Sequence, residues 1–409
     1  MNRSLRPFTL FGLLALTACS QAALPASTSS TGASAVPSAR ETFEAAGPTP
    51  RLVVTHDGGV TVVDATSGKV EGEFAAEGFT RLNQAGDGRH LLLTEGDHFR
   101  VLDSGAWSRA HGDHSHSYKT APLLTDVTFD GEHPGHAVFH GDRTALFYDG
   151  EGRVEWFEPT ALSLEKPKTQ HIQLPAAHHG VALWRDDDTF VHTVGTEDAR
   201  SGVAIRDAEG KELASTEDCP GVHGEASVKA AISVGCEDGI LIIKKNVITK
   251  VESPDAYGRI GNQAGTEAST VVLGDYKVDK DAELERPTRI SLTDTATGRL
   301  RLVDLGASYS FRSLGRGPAG EALVLGTDGK LRVIDPANGK VTRQVTVVKP
   351  WTEPLEWQQP RPTLYVQGDQ AWVSEPASKQ LHRVDLATGK VDQTITLTQR
   401  PNELNGVVG

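Results

Sequence analysis

One unit recurs along this chain and constrains what it can become. It is a β-branched run, an Asp, a few turn residues, a Gly, a Lys or Arg, and a second β run. The clearest copies are VVDATSGKVEGEF (62–74), LTDTATGRLRLVDL (292–305), VIDPANGKVTRQVTV (333–347) and VDLATGKVDQTITL (384–397); weaker ones are FYDGEGRVEWFE (147–158) and IRDAEGKELAS (205–215). A glycine in a short loop between alternating runs marks a β-hairpin. LLLTEGDHFRVLDSGAWS (91–108) and GILIIKKNVITKVES (239–253) fit the same place with degraded turns, which makes eight outer hairpins.

Upstream of most hairpins lies a second repeated element, an apolar strand, a polar turn and another strand. Examples are RLNQAGDGRHLLLT (81–94), HAVFHGDRTALFYD (136–149), HGVALWRDDDTFVHT (179–193) and HGEASVKAAISVGC (223–236). Four short strands at a period of about 45 residues match propeller blades, whereas solenoid coils are typically shorter. No long amphipathic pattern appears, and the composition, with 42 Gly and a single Met, suits short strands and tight turns. The expected fold is therefore all-β: one β-propeller of eight blades, with seven as the alternative. The first copy starts at its middle strands with RLVVTH, so its inner strand is expected from the C-terminal ELNGVVG, closing the ring through the chain termini.

The first residues speak to location. Arg3 and Arg6 precede the apolar run Phe8 to Leu16, and Leu16-Thr17-Ala18-Cys19 reads as a lipobox. The run is too short to span a bilayer and reads as a signal peptide over 1–18. Cys19 is the expected lipidation site, and 19–48, rich in Ser, Ala, Thr and Pro, a flexible tether to a domain over 49–409. The chain is thus expected to be exported and lipid-anchored to the membrane on its periplasmic or cell-surface side. Two further cysteines, Cys219 and Cys236, are expected to form a disulfide in that compartment, with paired thiolate metal ligands as the alternative. A formal net charge of −13 disfavours phosphate backbones, so nucleic acid is not an expected partner, and the chain reads as a monomer.

The histidines carry the chemistry. Twelve of fifteen lie between His90 and His192, and six fall between His111 and His140. In HGDHSHSY (111–118), His114 and His116 alternate with a serine, so in extended chain both imidazoles point the same way. His111 and Asp113 add N and O donors, and zinc accepts such sets in tetrahedral geometry. This stretch is expected to be a surface loop at one mouth of the propeller. A second constellation follows from the repeat. His136, His179 and His223 are spaced by 43 and 44 residues, near the period, and so are expected to ring the central channel. His178, His133 and His140 are reserves if the alignment slips by a residue. Imidazole also suits copper and nickel, so these residues alone do not select zinc. Neutral imidazole is the ligand, so bound zinc is expected to be held at pH 7.5 and largely released near pH 5.

No GxSxG elbow, HExxH, P-loop or dinucleotide fingerprint appears, so no enzyme class is indicated. With HGDHSHSY and the following HPGHAVFHG (133–141), the chain resembles the AztD family of zinc metallochaperones. The resemblance covers about 50–400. It implies a propeller binding Zn2+, a non-enzyme, and handover of zinc to the solute-binding protein of a zinc ABC importer. It also implies His114, His116 and His136 as ligands with Asp113 as helper. The family's histidine-rich N-terminal stretch has no counterpart here. The competing readings are a propeller hydrolase using a zinc-bound water and a protein-interaction scaffold.

Overall fold

The computed structural model describes residues 40–409. The expected signal peptide, the expected lipidation site Cys19 and most of the expected tether lie outside the described residues. Glu41–Gly409 form one compact unit. Apart from a single 3-10 turn at Pro159–Ala161, its regular elements are strands.

The repeat folds as four-stranded antiparallel sheets. VVDATSGKVEGEF supplies the strands Gly59–Asp64 and Val70–Ala75, and in the turn between them Asp64 accepts N–H hydrogen bonds from Thr66 and Ser67. Among the described residues there are eight such sheets. Each is too apolar to stand alone, because both of its faces carry β-branched residues. Their burial comes from the neighbours. The cluster of Val53, Val60 and Val62 with Leu82, Leu91 and Leu93 joins the first sheet to the second. The cluster of Leu183, Val191 and Val203 with Ile232, Val234 and Leu241 joins the fourth to the fifth. Leu52, Val54 and Val63 pack against Trp372, Leu381 and Ile395, which returns from the eighth sheet to the first. The fold is all-β and propeller-like, as expected.

The first sheet is completed from the far end of the chain. Strand Leu404–Val407 pairs antiparallel with Arg51–His56, Leu404 opposite Val54 and Val407 opposite Arg51. The backbone N–H of Asn402 donates to the Thr55 carbonyl at 2.7 Å, and Leu404 and Val407 are buried. Cys219 and Cys236 are disulfide-bonded.

Two expectations are corrected. HGDHSHSY is not a loop but a β-hairpin, Ala106–His111 and His114–Lys119, inserted between the third and fourth strands of the second sheet. The fourth strand of that sheet is therefore Leu123–Asp130 rather than the stretch around Trp107. The last part of the stretch expected as a tether, in turn, carries regular structure: Phe43–Ala45 is a strand paired with the hairpin, Glu44 opposite Tyr118. Exposed Ser and His on both faces hide this hairpin from any test based on apolar alternation.

The pairing of the two chain ends generates a prediction. Removing residues 404–409 uncovers the backbone of Arg51–His56 as a free edge. The expected result is a lower melting temperature with concentration-dependent association in size-exclusion chromatography. Leu404→Ala alone is expected to cost about 3 kcal/mol in denaturant unfolding.

Candidate metal centres

Two groups of three histidines come together among the described residues: His111, His114 and His116, and His136, His179 and His223. The first sits at the tip of the inserted hairpin. Gly112 takes φ 63°, a left-handed conformation that glycine adopts without steric cost, and the turn sets His111 directly opposite His114. His116 follows two residues on and shares the face of His114. His114 Nε2 lies 3.1 Å from His116 Nε2 and 3.5 Å from His111 Nδ1. Two nitrogens bound to one tetrahedral zinc at 2.0–2.1 Å are roughly 3.3 Å apart. The spacing therefore suits one ion.

Two of the other ring nitrogens are held by carboxylates. His116 Nδ1 lies 2.7 Å from Glu44 Oε1, and His114 Nδ1 lies 3.2 Å from Asp113 Oδ1. A carboxylate behind an imidazole fixes its tautomer and turns the opposite nitrogen's lone pair toward the metal. Asp113 thus stands behind a ring and is not part of the three-residue cluster. Trp107 stacks on Tyr118 at 5.6 Å, and the Arg89 guanidinium lies 3.9 Å over the Trp107 ring, anchoring the hairpin's base.

The second group is recessed. His136 belongs to the first strand of the third sheet, His179 precedes the first strand of the fourth, and His223 begins that of the fifth. The repeat thus carries all three rings to one place, with centroids 5.1, 5.3 and 6.1 Å apart. His179 Nδ1 lies 2.6 Å from Asp149 Oδ2, and His223 Nδ1 donates to the Gly261 carbonyl at 2.9 Å. Asp275 holds that carbonyl's loop by accepting from Gly261 N at 2.6 Å and Asn262 N at 3.0 Å. Gly224, at φ 69°, leaves room for it: a Cβ there would lie 2.2 Å from the Gly261 oxygen. The disulfide ties the start of this strand to its neighbour. The rings open onto a cavity of about 540 Å³.

Burial pushes His223 down to about 3, the Gly261 hydrogen bond opposing and His179, Arg259 and Arg200 assisting. Burial likewise holds His136 well below the ordinary histidine range, with His179, His223, Arg81 and Arg200 adding to it. Both rings face the cavity, yet protein surrounds them on every other side.

The remaining candidates are placed elsewhere. His178 is buried with its Nδ1 3.1 Å from the Ala176 carbonyl and its Nε2 3.1 Å from the Thr193 carbonyl, so it belongs to neither cluster. His133 and His140 also stand outside both, His140 Nδ1 against the Trp184 carbonyl. Glu44, Asp149 and Gly261 escaped sequence reasoning. Asp149 had a signal: it is the turn aspartate of FYDGEGRVEWFE. Elsewhere that aspartate binds its own turn, but here it reaches His179 and the Gly180 N–H.

Two expectations follow. Glu44→Gln is expected to weaken zinc at the hairpin cluster roughly 10- to 100-fold, and Asp149→Asn at the recessed one, each sparing the other cluster in a chelator competition. The second concerns acid. A ring whose proton affinity is depressed stays neutral, and so stays a ligand, to lower pH. Release near pH 5, expected from the sequence for bound zinc as a whole, is thereby restricted to the hairpin cluster: with His114→Ala/His116→Ala removing that cluster, calorimetry at pH 5 is expected to find zinc still bound at the recessed one, and release complete by pH 5 would contradict it.

No protein-family model matches the chain. A curated protein described as Zinc chaperone AztD, from Citrobacter koseri, is 26% identical over 362 residues, covering 86% of this chain and 84% of that protein. The crystal structure of Citrobacter koseri AztD superposes with a TM-score of 0.78 at 26% identity, covering 89% of this chain and 99% of that one. The apo structure of the same protein gives 0.76 at 25% identity, covering 88% and 98%. The likeness to the AztD family carried by the histidine motifs thus extends over most of the chain, in sequence and in fold.

Proposed function

We propose that this chain is an exported zinc metallochaperone on a closed eight-bladed β-propeller, anchored through lipidated Cys19. It captures zinc and passes it to the solute-binding protein of a zinc ABC importer. The observation that carries this reading is the pair of three-imidazole clusters, one exposed on a hairpin and one recessed in a cavity. Each has hydrogen-bonded partners behind at least one ring. An exposed cluster gives an ion access, and imidazoles release one at a time, which stepwise transfer requires. The name of the Citrobacter koseri relative, a zinc chaperone, favours zinc over copper or nickel and favours carriage over catalysis. The disulfide suits an oxidising compartment.

The deciding measurement is zinc stoichiometry. Wild-type protein is expected to bind about two zinc ions, and His114→Ala/His116→Ala and His136→Ala/His223→Ala about one each. Loss of both ions in either double variant would merge the clusters into one site. Retention of two ions in both would remove the assignment. Mixing zinc-loaded protein with the metal-free solute-binding protein is then expected to move zinc to the latter faster than free exchange in the presence of a competing chelator.

A further inference from the structure

The recessed cluster supplies three neutral nitrogens, and among the described residues no fourth histidine, cysteine or carboxylate joins it. Tetrahedral zinc accepts four ligands, so one position faces the cavity. The charge around that position is of the wrong sign for a bare dication. Arg81, Arg259 and Lys277 line the cavity with the three rings. Arg81 and Arg259 reach carboxylates only loosely, Glu403 at 3.7 Å and Glu237 at 3.8 Å. Lys277, half-buried, makes no side-chain hydrogen bond or ion pair among the described residues.

The acids of the same cavity are, by contrast, committed. Asp275 accepts from Gly261 N, Asn262 N and Asn262 Nδ2. Glu353 pairs with Arg361 at 2.6 Å, and Glu285 accepts from the backbone N–H groups of Val278 and Asp279. Among the described residues, only Asp149, behind His179, forms an ion pair with a ring of the cluster. A zinc ion on three neutral rings would keep its double charge facing loosely paired cations across the cavity, and like charges at such separations repel. The hairpin cluster has carboxylates behind two of its three rings.

Building on the reading of this cluster as a zinc site, we propose that it binds zinc together with an anionic oxygen ligand from outside the chain, a carboxylate or small oxyanion. That ligand fills the fourth coordination position and lies among Arg81, Arg259 and Lys277. Zinc and anion then bind cooperatively, and each raises the affinity of the other by the same factor. Two sources share this chemistry: a free ion, or an acidic side chain of the protein that receives the metal. In the second case the acceptor's carboxylate meets zinc before the imidazoles let go.

The test uses the full chain carrying His114→Ala/His116→Ala, so that only the recessed cluster loads. Zinc affinity is measured by chelator competition in a sulfonate buffer with perchlorate as the only salt. Potassium acetate, potassium phosphate or a blocked peptide with one glutamate is then added. The expected result is about a tenfold gain in zinc affinity with at least one of them. Cobalt loaded in place of zinc is expected to show a matching change in its visible spectrum. A gain with acetate or phosphate identifies a free ion as sufficient, a gain with the peptide alone identifies an acceptor carboxylate, and either sustains the proposal. Lys277→Gln is expected to raise zinc affinity without added anion and to shrink the anion's gain; a structural defect would lower both affinities. Zinc affinity and cobalt spectrum unmoved by all three additions would overturn the proposal while leaving the zinc site standing. No zinc binding under any condition would overturn the site itself and the proposal with it.

Discussion

Each sheet of this chain has two apolar faces and no means of covering either by itself. The burial of Leu52, Leu93, Val234 and Leu323 is complete only because another sheet lies against each of theirs. That dependence explains why the chain spends its last strand, Leu404–Val407, on its first sheet: without it Val53 and Val54 would be paired on one side only. It also explains why sequence spacing becomes spatial position. Residues one period apart occupy equivalent places in successive sheets, so His136, His179 and His223 meet although 87 residues separate the first from the last.

The recessed cluster and the repeat are therefore one design. The chain's own turn chemistry is reused at the site. Asp149 holds the place that Asp64 and Asp294 hold in their turns, yet its carboxylate faces the next sheet and orients His179. The Gly261 carbonyl, fixed by Asp275, does the same for His223. The hairpin cluster owes nothing to the repeat. Its three rings are neighbours along a single turn, and its scaffold is a small sheet of its own.

What could be read from the sequence follows this division. Periodic features were legible, including the strand-rich fold, the tail returning to RLVVTH and the three histidines in register. Interactions without a period were not. Glu44 reaches His116 across 72 positions from a stretch whose composition resembles a linker. The insertion of Ala106–Lys119 displaces the fourth strand of the second sheet, so alignment assigns Trp107 to a place that Leu123–Asp130 fills. His178 and His179 differ by one position and have opposite fates. One packs against Phe147 at 5.1 Å between sheets, and the other faces the cavity. Only the side on which each emerges separates them.

The carboxylate behind His116 comes from a segment that none of the four-stranded sheets requires. Phe43–Ala45 touches the body of the protein through the hairpin alone as a paired strand. A protease trimming the leader to Gly47 would leave every apolar interface whole while stripping the exposed imidazoles of Glu44. The two imidazole clusters are thereby mechanically separable: loss of that segment would remove the carboxylate behind one and leave the hydrogen bonds behind the other intact.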